Sequence, residues 1–278
     1  MTGTKVVKLR LEDSGGKLPA LIGDKVDEAA VGKAVELFYA EVPDIPLQGI
    51  DVQKDVAYYE KMVDATRDFN VTTEQLTEIV SKIEDDQRLR LKTAHVMGMY
   101  FTALMNNSKH PYFEIKTREN MWYLGMRMKD DKTAVLKGKG GRHVGYEMEH
   151  GTLIVEGNTG AYTGQHMKGG QLILKDYSGD ALGEWMQGGS IMAEADVGKY
   201  AGRHMRGGSL TVKGKSDDYT GMQMINGIIR IGKDAGSWTG DGMRGGKITV
   251  DGKIRHLGYD MTGGEIWQGN EKVWPREK

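Results

Sequence analysis

Gly198-Lys-Tyr-Ala-Gly202-Arg-His-Met205-Arg-Gly207-Gly208 decides the fold, because the chain writes it three times. It stands first as Gly160-Ala-Tyr-Thr-Gly164-Gln-His-Met167-Lys-Gly169-Gly170 and again as Gly236-Ser-Trp-Thr-Gly240-Asp-Gly-Met243-Arg-Gly245-Gly246. The first glycines of these copies are 38 residues apart, and a fainter copy sits midway between each pair, so the period is 19. A period of this length marks a solenoid or array whose core is quasi-linear.

The repeat extends well beyond the three clear copies. Its central glycine falls at Gly125, Gly145, Gly164, Gly183, Gly202, Gly221, Gly240 and Gly258. Three positions on stand Met128, Met148, Met167, Met186, Met205, Met224, Met243 and Met261. Aliphatic pairs follow at a spacing of two, from Leu153/Val155 through Leu210/Val212 to Ile248/Val250, the alternation of a half-buried strand. Nineteen residues are too few for a strand plus a full helix, but they suit a β-helix whose coils stack at about 4.8 Å. In that fold Gly169-Gly170 and its copies make tight corners, the methionines fill a narrow lumen, and the aliphatic pairs form the ladder beneath. Replacing Gly202 by Val is expected to disrupt one corner and destabilise the whole stack, because neighbouring coils share a core.

Working outward, the N-terminal half reads differently. Val6, Val7, Leu9 and Leu11 suggest a short strand, and Asp13-Ser-Gly-Gly16 a turn. A helix is expected from Asp24, which would cap it, with Val31, Ala34, Val35 and Phe38 on one face. A second spans roughly 51–68, with Val52, Val56, Tyr59 and Val63. A third is capped by Thr72 or Thr73 and carries Leu76, Ile79, Val80 and Ile83. Residues 94–105 should form the most buried helix. The expected class is α+β: a mostly helical region over 1–118, then a glycine-rich β-helix of about eight coils over 119–278, closed at its C-terminal end by Glu265–Gln268 and Trp274-Pro275.

Composition narrows the chemistry. A formal net charge of −1 gives no global attraction to nucleic acid or an acidic membrane surface. There is no cysteine, hence no disulfide, thiolate nucleophile or cysteine-ligated cluster in this chain, which fits a cytoplasmic protein. No apolar run nears the about 18 residues of a membrane span, and the N-terminus lacks a signal-peptide core. Gly138-Lys-Gly140-Gly141 is not a dinucleotide fingerprint, and there is no P-loop, HExxH or G-x-S-x-G.

Two rows on the solenoid could carry function. Two residues before the central glycine stand Tyr123, His143, Tyr162, Ala181, Tyr200, Tyr219, Trp238 and His256. Stacked coils would turn Tyr200, Tyr219, Trp238 and His256 into an aromatic ladder. Such a ladder could stiffen the solenoid, anchor a protein partner or bind flat ligands. Just before the methionines lie His166 and His204, two coils or about 9–10 Å apart with Trp185 between, too far to share a metal. Just after the methionines, Lys168, Arg206 and Arg244 recur on alternate coils as a basic stripe suited to a solvated face or an acidic partner. The candidate interface is therefore Tyr162, Tyr200, Tyr219, Trp238, Lys168, Arg206 and Arg244, with no catalytic, cofactor or metal residue assigned.

The repeat Gly-x-x-x-Gly-x-x-Met-x-Gly-Gly-x-Ile-x-Val, over about 123–267, resembles the glycine-rich right-handed β-helix found in one of the subunits of formylmethanofuran dehydrogenase. It also resembles the relative of that β-helical subunit in the formyltransferase/hydrolase complex of methylotrophs, and the C-terminal domain of the glutamate synthase large chain. The regular period and the methionine in nearly every coil look closer to the formylmethanofuran dehydrogenase β-helix. The resemblance implies a non-catalytic scaffold of a multisubunit C1-metabolism oxidoreductase, as in methanogenesis. Tungsten or molybdenum pterin, iron–sulfur clusters and zinc would reside in partner subunits. A detached glutamate-synthase-type domain, assembling with amidotransferase and FMN subunits, is the second expectation, and an autonomous β-helix binding module the third.

Overall fold

The computed structural model describes residues 27–41, 52–86 and 94–275. Among these, four helices come first: α1 (Glu28–Glu41), α2 (Val52–Ala65), α3 (Thr73–Asp85) and α4 (Ala94–Asn107). Ten strands follow as one sheet in chain order: β1 (Tyr112–Lys116), β2 (Thr133–Lys137), β3 (Thr152–Val155), β4 (Gln171–Leu174), β5 (Ser190–Ala193), β6 (Ser209–Val212), β7 (Ile228–Ile231), β8 (Arg244–Val250), β9 (Gly263–Gln268) and β10 (Glu271–Trp274). Strands β1 to β9 pair in parallel, one per coil, and β10 returns antiparallel on β9. The chain is thus a small helical region followed by a β-solenoid of 19-residue coils. The short strand expected at Val6–Leu11, the Asp13–Gly16 turn and Asp24 lie outside the described residues.

Register explains the columns. Leu153, Leu172, Ile191, Leu210, Ile229 and Ile248 are successive partners across the ladder and are buried, as are their companions two residues on. Met128 through Met243 are wholly buried in the lumen, while Met261 in the shorter last coil is only half-buried. At each corner the two glycines do different work. The first, such as Gly207, lies so close to the carbonyl of Gln187 in the coil below that a β-carbon has no room. The second, Gly208, has φ +79 and sits over the methyl of Met186. A second bridge row, Thr159, Ser178, Val197, Ser216, Ala235 and Ile254, ties the opposite side of the coils together. Asp180, Asp196, Asp218 and Asp234 each accept from a backbone N–H one coil on, at Lys199, Lys215, Ser237 and Lys253.

The helices close the open first end of the solenoid. In a middle coil the central glycine N–H donates to the coil before it, as Gly202 does to Leu182. Gly125 has no preceding coil of that kind, and its N–H donates instead to the Thr102 hydroxyl of α4 at 2.8 Å. Asn106, one turn further, donates to the Arg127 carbonyl and accepts from the Lys129 N–H. Gly98, one turn earlier, lets α4 approach the Trp122 backbone, where any side chain would collide. Gly98, Thr102 and Asn106 lie four apart, on one face of the helix. Helix α3 serves β1 likewise, with Thr73 accepting from the Glu114 N–H. Its N-terminus is fixed by a capping box between Thr72 and Gln75. Asp27 accepts from the N–H groups of Ala29 and Ala30 at the start of α1, the capping role expected of Asp24. One continuous apolar core runs from Val31 and Phe38 through α4 into the lumen and on to Ile266.

Candidate functional site

The wall of the solenoid between the aromatic row and the methionines is built from backbone that glycine alone does not explain. Tyr162, Tyr200, Tyr219 and Trp238 all have φ between 63 and 65, in the left-handed region. So do the central glycine, and the residue two further on, such as His204 at φ 57. The turns Tyr200–Arg203 and Gly202–Met205 each close with a backbone hydrogen bond and carry positive φ at their third residue, as in type II turns. Alternation then lets every second N–H point to a different neighbour: Tyr200 and His204 donate to the next coil, and Gly202 and Arg206 to the previous one. Left-handed conformations at bulky residues cost on the order of 1 kcal/mol each, and here the ladder and the ring stacking offset them.

The rings stack as the 19-residue period requires, in two segments. Tyr123, His143 and Tyr162 form the first, with centroids 4.8 and 5.0 Å apart and planes within 7°. Tyr200, Tyr219 and Trp238 form the second, at 5.0 and 6.2 Å. His256 is not its fourth member. The last step of the repeat is 18 residues, so the chain there is one residue short, and Tyr259 comes under Trp238 at 5.1 Å with a 50° tilt. His256 instead meets the Ser237 hydroxyl at 3.1 Å. Trp238 is 36% and Tyr259 64% exposed, which makes this end the open face of the row.

Between the two segments the row has Ala181, and a polar network fills the interruption. Arg203 lies 5.0 Å from the Tyr200 centroid; since Tyr219 covers the other face, its guanidinium occupies the side towards Ala181. It is held there by Glu184, which accepts from Arg203 Nε at 2.6 Å and from Gln165 at 2.9 Å while only 2% exposed. Gln165 in turn meets His143 Nδ1 at 3.1 Å. This chain of Gln165, Glu184 and Arg203 occupies one column at 19-residue spacing, immediately after the central glycine. It was not singled out among the candidates read from the sequence, although the spacing and complementary chemistry would reveal it.

The second row stacks too. Trp185 sits between His166 at 6.2 Å and His204 at 4.1 Å, so the indole occupies the space between the two imidazoles. Arg206 lies over the Trp185 ring at 4.9 Å. Lys168 is bound to Glu147 at 3.1 Å, and Glu147 also accepts from Arg127. Arg244 is exposed at the start of β8. The three basic residues of the stripe therefore differ: one is neutralised, one is stacked, and one projects outward. Among the described residues no group of three or more His, Asp or Glu is placed to hold a metal ion, and no helix is long and apolar enough to cross a membrane.

Burial pushes the His143 imidazole down to about 4, against the opposing effect of the hydrogen bond its Nδ1 makes to the Gln165 side-chain oxygen. The unfolded chain takes up this proton near the ordinary histidine value of about 6.5, the folded chain only near 4. Folding stability from this group is thus fully present above about pH 6.5 and falls as pH drops towards 4, by on the order of 3 kcal/mol. His143→Phe, which keeps a ring between Tyr123 and Tyr162, is expected to flatten that part of the profile in urea titrations at several pH values. An unchanged slope would contradict a buried neutral His143.

No protein-family model matches the chain. No curated protein matches it either. Among solved structures it is similar to a chain of the formyltransferase/hydrolase complex (FhcABCD) from Methylorubrum extorquens, crystallised with methylofuran. The identity is 23% and the TM-score 0.49, and the match covers 52% of this chain and 57% of that one, so it spans little more than half of either.

Proposed function

We propose that the chain is a non-catalytic scaffold subunit of a hetero-oligomeric C1-metabolism oxidoreductase similar to formylmethanofuran dehydrogenase, acting on one-carbon units carried by a methanofuran-type molecule. The observation that supports this most is the open end of the aromatic row. Trp238 and Tyr259 project from turns tied to the neighbouring coils, Trp238 through the Gly240 and Thr239 N–H groups beside it and Tyr259 through its carbonyl, which accepts from Gly242, so large apolar surface is presented with little ordering cost. The resemblance of the repeat to the formylmethanofuran dehydrogenase β-helix suggests the host complex. In this reading, pterin-bound tungsten or molybdenum, iron–sulfur clusters and zinc belong to the partners, which Tyr162, Tyr200, Tyr219, Trp238, Arg206 and Arg244 help to seat.

Purification under native conditions with Trp238→Ala/Tyr259→Ala tests the surface. Interface anchors of this kind are worth about 2 kcal/mol or more, so partner affinity should fall at least about tenfold, while the isolated chain keeps its solenoid by circular dichroism and melts somewhat lower because the Tyr219–Trp238 stacking is lost. Undiminished recovery of partners with the double variant would overturn the assignment of this surface.

A further inference from the structure

The outer face of the sheet carries a second surface, built from other columns than the aromatic row. The outward residues in the middle of successive strands are Val135, Ile154, Ile173 and Met192, direct partners across β2 to β5. Val135 is 9% exposed and the other three are half-buried, so four apolar side chains line up on the outside of the solenoid. Beyond β5 the same column turns polar, with Thr211 and then Arg230. Beside the apolar stripe runs a charged column, Lys116, Lys137, Glu156, Lys175, Glu194 and Lys213, which alternates in sign from Lys137 onward; Lys137 also pairs with Glu114 at 2.9 Å. Within the chain Glu194 pairs with Lys175 at 2.8 Å and with Lys213 at 3.5 Å.

This pattern is complementary to itself. Consider a second copy laid face to face, about 10 Å away, by a two-fold axis that runs along the strands between β3 and β4. Rotation keeps each column opposite its own column and reverses the order of the coils. Ile154 then faces Ile173 of the other copy, and Val135 faces Met192. In the charged column Glu156 faces Lys175 and Lys137 faces Glu194, each twice over, and the outermost step alone, Lys116 of β1 against Lys213 of β6, sets like charges opposite. Moving the axis one coil towards the C-terminus keeps the charge pairing but sets Ile154 against Thr211 and Val135 against Arg230, so the apolar stripe selects the first position. We propose that this face pairs with the same face of a second copy of the chain, as an antiparallel, isologous dimer. Six coils of five residues cover roughly 450 Å² of flat sheet on each partner. That is below the roughly 800 Å² of a standard interface, so the dimer is weak and reversible.

Sedimentation equilibrium of the full chain tests this without any other subunit, and so independently of the scaffold reading. The average mass of the wild type should rise with concentration towards twice the chain mass and lie clearly above that of the monomer by about 100 µM. Glu156→Lys alone sets lysine against lysine, and Lys175→Glu alone sets glutamate against glutamate. Each should weaken self-association at least about tenfold, with circular dichroism unchanged. An equimolar mixture of the two variants restores both opposite-charge pairs and should dimerise like wild type. A wild-type chain that stays monomeric at about 100 µM, single variants that dimerise normally, or a mixture that stays monomeric would each overturn the proposal.

Discussion

Gly207→Ala should lower the unfolding free energy by about 3 kcal/mol, the upper end of what overpacking usually costs. The added carbon meets the Gln187 carbonyl oxygen, which is backbone and cannot rotate away. That carbonyl belongs to a coil locked on both sides, so relief requires separating coils whose spacing the whole ladder sets. Gly202→Val should be similarly severe for a different reason: φ is +69, and the new side chain occupies the place of Ile229 in the lumen. Gly32→Ala in α1 is the control, because nothing lies within 4 Å of its β-carbon position and helix propensity favours alanine. Urea denaturation should show a single transition at a lower midpoint for the two solenoid variants and no loss for the third. A solenoid variant with an unchanged midpoint would contradict the stacked-coil geometry.

Arg203→Ala should cost about 3 kcal/mol, at the low end for breaking a buried pair because the arginine is 30% exposed. The reason lies in what remains. Glu184 would keep one hydrogen bond, from Gln165, in a site that excludes water, and Tyr200 would lose the cation on one of its faces. Removing both charges with Glu184→Leu/Arg203→Met should be milder than Arg203→Ala alone, since no unpaired carboxylate is then buried. Thermal unfolding of the wild type and the variants provides the comparison. If the double replacement is the more damaging, the pair contributes through packing and not through charge.

The regular part of this architecture was legible because a β-solenoid writes its geometry into sequence period. Columns of methionine, glycine and paired aliphatics at 19-residue spacing fix strand, lumen and corner together. Three features escaped for identifiable reasons. Positive φ at Tyr200, Trp238 and His204 is imposed by hydrogen bonding between coils, not by a residue type that announces it. Tyr259 replaced His256 in the stack because one missing residue shifts the register locally, which column alignment on the glycine conceals. The contact of α4 with the first coil escaped because Gly98, Thr102 and Asn106 acquire meaning only when the unpaired edge of that coil is in view. The Glu184–Arg203 pair was visible at i+19 and required only that the column after the central glycine be read as closely as the one before it.

Native mass spectrometry of the assembly that carries this chain, with metal analysis of the same sample, tests the scaffold claim most directly. The scaffold role predicts a hetero-oligomer containing this chain together with subunits that bind tungsten or molybdenum, with no activity in the chain alone. An FMN-bearing assembly would point instead to a glutamate-synthase-type host. A chain that occurs free of any other protein and turns over a substrate by itself would contradict the scaffold role.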